Sequence, residues 1–429
     1  MVKITGAIQW PNDKCYLFEG DHYYRLDNTS GLVDPQPTPI AQEWRGLWPS
    51  GKIVPVWWGY GKAFFFCGSE YVRYDTSDKV DDGYAPPIQI ADRWPGLWSS
   101  DIDAAFNYGN GKLYFFKADE YLRYDMSEEK VDDGYPKKIA DGWTGVWDGD
   151  IDAVLYQGGE QVLFFKGGEY RVFDLAQDAV VGGTQTLSQL RGEALPSGIN
   201  TPARDLTAKQ ANGLLGYLAK RSVVTLRASQ TPYTEDAQGN IATPKPGQNI
   251  ALQPAAISGV TLINIGNKTA KSTDNIDQRL LVALYRLIRW LNSSAETIQS
   301  ITHLGIGHGK GASTDCHNQG RALDLSAIGF DLDGATVTVD VKTEWGARLC
   351  PDPTVYRLTR ADGSAYSLFL RAYTFGTYEC ECRKPGQNVW PPTVIGEAGY
   401  VICPDYNAAD TQLRSDHNNH IHMQIGVTH

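Results

Sequence analysis

The first half of the sequence is a fourfold repeat, and this repetition limits the folds that the chain can adopt. Four aromatic segments of one pattern, such as YFFKADEYLRYD, each end at an aspartate, and successive aspartates are 48, 50 and 49 residues apart. These aspartates are Asp27, Asp75, Asp125 and Asp174. Within each repeat, aromatic and β-branched runs are broken by turn residues, which predicts a small antiparallel sheet. A sheet of about 50 residues has the size of a propeller blade, so the sequence predicts an all-β four-bladed β-propeller.

Two further motifs recur in phase with the aspartates. The tryptophan motifs WRGLW, WPGLW and WTGVW end at Trp48, Trp98 and Trp147, and the motif DIDA opens the third and fourth repeats. Together these motifs resemble the hemopexin family of four-bladed propellers over residues 1–193. The resemblance implies a disc-shaped binding module with a cation or an anion in its central channel.

The first, second and fourth repeats depart from this family pattern. The first opens with Ile4-Thr5-Gly6-Ala7, the second opens with Ile53-Val54-Pro55-Val56, and the fourth lacks the closing tryptophan motif. Some family members close the ring with a disulfide between the first and last blades, whereas Cys15 and Cys67 lie in the first two repeats. We therefore expect packing to close the ring.

Charge and residue usage change near residue 200. Residues 1–200 contain 30 Asp and Glu against 18 Lys and Arg, a balance of −12, whereas the remainder has 20 against 21. Seven of the eight histidines lie after residue 300, and the segment between the halves is rich in Gly, Ser, Thr and Pro. We expect a propeller at 1–193, a linker at 194–205 and a second domain at 206–429.

The acidic composition also bears on possible partners. An acidic surface repels phosphate, which argues against a nucleic-acid ligand. An acidic module with exposed aromatic residues suits a carbohydrate, a basic protein or another part of an assembly. No run of about 18 apolar residues occurs, so no membrane span is expected. The first residues lack the apolar segment of a secretory signal, which leaves the localisation open and implies a non-classical or injection route for any export.

Four of the histidines fall in two short clusters. In the segment Asp315-Cys316-His317-Asn318-Gln319-Gly320-Arg321-Ala322-Leu323-Asp324, the last residues alternate polar with apolar, and HIHMQI alternates with His420 and His422 on one face. Both patterns predict strands that present polar side chains on one side. The glycine at 320 permits the turn that brings His317 back alongside Asp324.

Two such strands can build a zinc site from His317, Asp324 and His422. Zinc binds His nitrogen and Asp oxygen at about 2.0–2.2 Å, and a catalytic site leaves the fourth position for water. The bound water has a pKa of about 7 and supplies hydroxide, while the metal polarises the attacked carbonyl. The sequence therefore predicts Zn²⁺ in the second domain.

The two motifs, H-x-x-G-R-A-L-D and H-x-x-H-x-H, resemble the superfamily of zinc D,D-carboxypeptidases, LAS-type peptidoglycan endopeptidases, extensin-like carboxy-terminal domains and the hedgehog signalling domain. The resemblance implies an α+β domain with a central antiparallel sheet and assigns the metal to the same three residues. It also implies that His420 stabilises the transition state. The general base is His417 in one branch and Asp416 in others, and both candidates stay open.

The residues before the first cluster fit the same superfamily. Asp274-Asn275-Ile276-Asp277 offers a helix N-cap, and Thr297–Ile306 is expected to form a strand. Superfamily peptidases have a carbonyl-binding arginine at the end of this strand, where this sequence has His308 and Lys310. His308 or Lys310 is therefore a candidate substitute.

Four cysteines fall in the proline-rich stretch 350–403, namely Cys350, Cys380, Cys382 and Cys403. They form two disulfides or stay reduced. As disulfides they would staple loops near the site and indicate a protein that works outside the reducing cytosol.

These features favour a zinc-dependent hydrolase that cleaves peptide bonds in bacterial peptidoglycan, as a D,D-carboxypeptidase or an endopeptidase. The propeller would target it, and the protein would act as a secreted or injected effector. The alternative is a non-catalytic zinc-bearing adhesion or toxin component in which both domains are interaction modules. The expected partner of the second domain is peptidoglycan or a related peptide or glycan polymer.

Overall fold

The chain divides into two compact units, Met1–Asn200 and Thr201–His429. The computed structural model describes residues 3–59, 61–76, 79–227, 234–235, 241–242, 249–270, 273–292, 297–307, 315–332, 335–344, 364–380, 401–404 and 411–425.

The first unit consists of four antiparallel sheets, one for each sequence repeat. Blade one contains β1 (Gly6–Trp10), β2 (Lys14–Glu19), β3 (His22–Asp27) and β4 (Thr38–Pro39), followed by α1 (Ile40–Glu43). Blade two contains β5 (Val54–Gly59), β6 (Lys62–Cys67), β7 (Glu70–Asp75), β8 (Lys79–Val80) and β9 (Ile88–Gln89), followed by α2 (Ile90–Arg93). Blade three contains β10 (Ala104–Asn107), β11 (Lys112–Lys117), β12 (Glu120–Asp125), β13 (Lys130–Val131) and β14 (Lys137–Lys138), followed by α3 (Ile139–Gly142). Blade four contains β15 (Ala153–Tyr156), β16 (Gln161–Lys166), β17 (Glu169–Asp174) and β18 (Ala179–Thr186).

The innermost strand of each blade contacts its two neighbours in a closed ring, in the order β1, β5, β10 and β15. The last strand of this series, β15, returns to pack against β1. The predicted four-bladed propeller is therefore confirmed.

The repeated aspartates have a structural role at the end of the third strand of each blade. In the first three blades each stands opposite a lysine at the start of the second strand, as Lys112 stands opposite Asp125. This lysine donates to Asp125 and, at 3.0 Å, to Asp132, which also accepts from Arg123. In addition, Asp125 Oδ1 accepts the backbone N–H of Ser127 at 2.7 Å and so orders the turn that follows. In the first three blades the repeated aspartate thus forms a cross-strand ion pair, and in blade three it also caps a turn.

The first tryptophan of each motif fills the space between two blades. The Trp44 ring lies 5.5 Å from Phe18 of blade one and 5.4 Å from Phe65 of blade two, between centroids. Trp143 lies likewise between blades three and four, 5.7 Å from Phe116 and 5.2 Å from Phe164. Tilted and edge-to-face aromatic contacts stabilise beyond the apolar area that they bury, so the tryptophans hold neighbouring blades together.

The fourth interface, between blades four and one, is closed without a tryptophan. Lys3 Nζ lies 2.7 Å from Asp152 Oδ1, and the chain after β18 returns to blade one. There Gly192 N–H donates to Gly31 O at 3.1 Å, and Leu195 N–H donates to a carbonyl of blade one. Neither of the two cysteines of this unit forms a disulfide. Packing and hydrogen bonds close the ring, as predicted.

The segment interpreted as a linker, 194–205, is divided between the two units. Residues up to 200 pack on the propeller, where Gly198 N–H donates to Asp13 Oδ1 at 2.8 Å. Residues from 201 pack on the second unit, where Ala203 N–H donates to Glu379 Oε2 at 2.8 Å. Each part of this segment therefore makes contacts with the unit to which it belongs.

The second unit is built around a nine-stranded sheet. The strands of this unit are β19 (Val224–Leu226), β20 (Thr234–Glu235), β21 (Ile241–Ala242), β22 (Ile250–Ile257), β23 (Val260–Asn264), β24 (Thr273–Ile276), β25 (Thr297–Ile306), β26 (Ala322–Leu332), β27 (Ala335–Asp340), β28 (Val401–Ile402) and β29 (Ile421–Gln424). The sheet has the order β19-β22-β23-β25-β26-β29-β28, with β24 beside β22 and β27 beside β26, and β20 pairs with β21 separately. Only the pair β23 and β25 is parallel among the described strands.

Helix α5 (Gln278–Leu291) lies at the centre of the helical layer of this unit. It contacts α4 (Ala208–Lys220) and α7 (Ser364–Glu379), and most of its side chains are buried. Asp277 caps it by accepting the N–H of Arg279 at 2.8 Å, so the predicted N-cap and the predicted strand Thr297–Ile306 are both confirmed. Two short helices complete the unit, α6 (Val341–Glu344) and α8 (Thr411–Asp416). Among the residues with described structure, no helix combines the length and the apolar character needed to cross a bilayer.

We expect Trp143→Ala to destabilise the first unit by about 3–5 kcal/mol, because the cavity would lie between two blades that cannot easily collapse. Trp147 of the same motif is half-exposed, and Trp147→Ala is the matched control with a clearly smaller cost. Urea unfolding followed by tryptophan fluorescence measures the difference, since nine of the twelve tryptophans lie in residues 1–200. Equal midpoints for the two variants would contradict the role given to Trp143.

Candidate metal centre

Asp324 and His422 face each other across two neighbouring strands. β26 and β29 pair antiparallel with Asp324 opposite His422, so both side chains lie on the same face of the sheet. Nδ1 of His422 is 2.7 Å from Oδ1 of Asp324, and its Nε2 is 3.0 Å from Oε1 of Gln424. Strand pairing thus brings together two of the three predicted metal ligands.

His317 reaches the same carboxylate from a turn. Gly320 N–H donates to the His317 carbonyl at 3.0 Å, and the chain then enters β26. Gly320 has a φ of +72°, and a Cβ there would lie 2.0 Å from the carbonyl oxygen of Asn275, so a larger residue does not fit. Nε2 of His317 lies 3.2 Å from Oδ1 of Asp324. This is the tight turn that the sequence predicts at Gly320.

The donor set of these three residues fits a zinc ion. One ligand atom each from His317, Asp324 and His422 lies within 4.8 Å of the other two. Ligand atoms at about 2.0–2.2 Å from a tetrahedral zinc are about 3.4 Å apart, close to the 3.2 Å between His317 and Asp324. Nδ1 of His317 is buried and has no hydrogen-bond partner among the described residues. Two imidazoles and a carboxylate could therefore hold zinc here with a fourth position left open.

Hydrogen bonding decides the charge of Asp324. Burial raises the pKa of a carboxyl group, but the contacts with His317, His420 and His422 hold the pKa of Asp324 well below its usual value. Burial lowers the pKa of His422, whereas its hydrogen bond to Asp324 raises it, and the net result is a raised pKa. The carboxylate is anionic at neutral pH, as a metal ligand must be.

Two more histidines stand beside these three residues. Nε2 of His420 is 3.4 Å from Oδ1 of Asp324, and its Nδ1 is 2.7 Å from Oδ1 of Asn419. The His417 ring centroid lies 4.9 Å from that of His420 and 5.4 Å from that of His422. One ligand atom each of His417, His420 and His422 also lies within 4.8 Å of the others. The cluster thus contains a second group of potential ligands that shares His422 with the first.

Asp416 has no described contact with this cluster. The Asp416 carboxylate is exposed and accepts a hydrogen bond from Gln412 Nε2 of its own helix at 2.8 Å. His308 and Lys310 lie outside the described residues, as do Cys350 and Cys382. The geometry therefore favours His417 over Asp416 as the ionisable group beside His422, and the prediction for His308 stays a prediction.

A further histidine, His303, lies within electrostatic reach of the cluster, although sequence reasoning gives this isolated residue no role. It stands on β25 opposite Leu325 of β26, is 2% exposed, and its Nδ1 has no hydrogen-bond partner among the described residues. Burial lowers the pKa of His303 to about 4, although the negative charge of Asp324 opposes the shift. The sequence indicates the burial of His303 only by strand alternation, because position 303 lies two residues after Ile301 and therefore on the same side of the strand.

The protein-family model described as Hemopexin matches residues 4–49, 56–99 and 102–148. These segments correspond to blades one, two and three. The first unit carries hemopexin repeats. The fourth blade completes the hemopexin-repeat propeller without the tryptophan motif of the other three.

Individual proteins similar to this chain cover parts of it. Stromelysin-2 of Rattus norvegicus is 32% identical over 80 residues, which are 18% of this chain and 16% of the rat protein, so the chain spans a small part of that relative's length. Among solved structures, a plant lectin with two metal binding sites from Cicer arietinum is 25% identical, with a TM-score of 0.39, and covers 44% of this chain and 94% of its own. The hemopexin fold protein CP4 from cow pea is 23% identical, with a TM-score of 0.38, and the match covers 44% of this chain and 94% of the cow pea chain.

We expect the protein to bind one zinc ion per chain and His422→Ala to bind none, because both groups of potential ligands include His422. His22→Ala, at a histidine of the propeller, is the matched control and should retain the metal. Elemental analysis after dialysis in metal-free buffer measures the zinc content. Full zinc content in His422→Ala would show that the metal lies elsewhere.

We also expect the His303 ring to stay neutral between pH 8 and pH 5. Its folded pKa of about 4 lies below the ordinary histidine value of 6.5, so burial disfavours its charged form over that range. Proton–nitrogen NMR of the histidine rings follows this titration, and His303→Gln assigns the resonance. A protonation midpoint near 6.5 would contradict the burial described here.

Proposed function

We propose that this protein is a two-module binding protein in which the second unit holds a zinc ion and the hemopexin-repeat propeller recognises a partner. The observation that carries the proposal is the partly buried Asp324 carboxylate with imidazole nitrogens of His317, His420 and His422 within 3.4 Å. Carboxylate oxygen and imidazole nitrogen are the donors that zinc takes in proteins. The zinc ion would add to folding as well as to recognition, because its ligands are far apart in sequence.

The propeller is proposed as the recognition module because of its repeats and its charge. Its balance of −12 sets up a field that attracts cationic groups and repels anionic ones. The partner class that fits is a basic protein surface or a carbohydrate. The second unit, with 20 acidic and 21 basic residues in positions 201–429, has no such bias against an anionic polymer such as peptidoglycan.

A second candidate function is zinc-dependent hydrolysis of peptide bonds in peptidoglycan. The observation that favours it is that His420 and His417 lie beside the proposed ligands without being needed to complete them. Zinc in such a site polarises a carbonyl and supplies hydroxide at neutral pH. His420 would then donate a hydrogen bond to the developing oxyanion. His417, which is half-buried, would take the proton of the attacking water and pass it to the leaving amine.

Digestion of purified peptidoglycan with the zinc-loaded full chain separates the two functions. We expect bound zinc and an unchanged profile of soluble muropeptides, because the binding role needs no turnover. His417→Ala is assayed in parallel, with His22→Ala as its control.

Zinc-dependent release of new muropeptides would establish the second candidate and overturn the non-catalytic one. In that case the rate of release should fall by about 10²–10⁴-fold in His417→Ala, the usual cost of losing a general base. A protein that binds no zinc at all would overturn the metal centre and both functions built on it.

A further inference from the structure

Three residues with left-handed backbone meet next to the turn that carries His317. Asn275 has a φ of +54°, Gly307 at the end of β25 has +75°, and Gly320 at the end of the turn has +72°. A Cβ built on Gly320 would lie 2.0 Å from the Asn275 carbonyl oxygen, and one on Gly307 would lie 2.6 Å from it. The backbone at 275 is therefore pressed directly against both glycines.

The Asn275 side chain ties these segments together. Its Nδ2 donates to the carbonyl of Gly307 and, at 2.8 Å, to the carbonyl of Asn318, the residue after His317. Its Oδ1 accepts from Asn249 Nδ2 at 2.7 Å. One amide thus links the strand end, the turn and a third segment.

Asn249 holds the next carbonyl of the same turn. Its Nδ2 donates to Gln319 O at 3.0 Å, one residue beyond the carbonyl that Asn275 holds. Asp277, two residues after Asn275, donates its N–H to Gly320 O at 2.9 Å. Three successive carbonyls after His317 are therefore held by residues that precede or begin helix α5.

We propose that Asn275, with Asn249, is a positioning residue for the metal centre, which fixes the turn so that His317 Nε2 meets the Asp324 carboxylate. His317 needs this support because it lies on a turn, whereas Asp324 and His422 are held by strand pairing. The inference rests on the proposed zinc binding. Groups outside the ligand set that orient a ligand change metal affinity by about 10–100-fold when they are lost.

Asn275→Gly tests the side chain alone. Glycine adopts the left-handed backbone without strain, so this variant keeps the conformation at 275 and removes both donors. We expect its dissociation constant for zinc to rise about 10–100-fold, measured by competition with a fluorescent zinc indicator. Asn292→Gly is the matched control at the opposite end of α5, where the Asn292 Oδ1 accepts Ile298 N–H at 2.9 Å, and we expect wild-type affinity there.

A double-mutant cycle with His317→Ala separates positioning from general stability. If Asn275 acts through His317, Asn275→Gly has no further effect on the residual zinc affinity of His317→Ala. A loss of the same size in both backgrounds would mean that Asn275 only stabilises the unit and would overturn the inference. Should Asn275→Gly fold poorly, Asn249→Ala removes the two hydrogen bonds that Asn249 donates, to Asn275 and to the turn, and leaves Asn275 in place. We expect the same effect at a smaller size.

The outcomes distinguish this inference from the function on which it rests. A wild type without zinc overturns the metal centre itself and the inference with it. A wild type with zinc, together with unchanged affinity in both Asn275→Gly and Asn249→Ala, overturns the inference alone.

Discussion

A partly buried carboxylate organises the second unit of this protein. Removing an anion from water costs several kcal/mol unless donors replace its hydration, and Asp324 obtains them from three imidazoles. One imidazole comes from a turn, one from the residue before β29 and one from β29 itself. The group therefore exists only when the turn, the strand pairing and the segment before α5 are all in place. The proposed zinc ion would strengthen the same dependence, because its ligands are the same groups.

The first half depends on repetition instead of a single residue. Each blade buries one face against the next, and the same tryptophan position fills three of the four interfaces. The cross-strand lysine and aspartate pairs stabilise the sheets of the first three blades from within. Because every blade packs against its two neighbours, the four repeats form one closed ring with hydrophobic clusters between blades, and not four separate small domains.

The propeller was predictable because its signal is local and recurs. The alternation of polar and apolar residues in a strand and the glycine of a turn are also signals carried by neighbouring residues. They suffice to predict that His317, Asp324 and His422 lie together. Asn275 and Asn249 could not be found in this way. Asn275 lies 43 residues from the carbonyl of Asn318 that it holds, and nothing in the intervening sequence marks the contact.

The segment at the end of the propeller shows a second limit of prediction from sequence. Residues 194–200 have the Gly, Ser and Pro content of a linker, yet they pack on the ring. Small residues serve both purposes, since a Cβ at Gly31 would lie 2.5 Å from the carbonyl of Gly192. Composition therefore cannot distinguish a chain that needs flexibility from a chain that needs close backbone contact.

The missing tryptophan of the fourth blade coincides with a special interface of the ring. A ring of four repeats has four interfaces but only three covalent connections between consecutive repeats, so one interface must be made by segments that the chain does not join. In the first three blades, the tryptophan lies on the connection to the next blade. The segment after the fourth blade instead binds blade one, through the backbone of Gly192 and Leu195. The irregular repeat thus stands at the one interface whose two blades are not consecutive in the sequence.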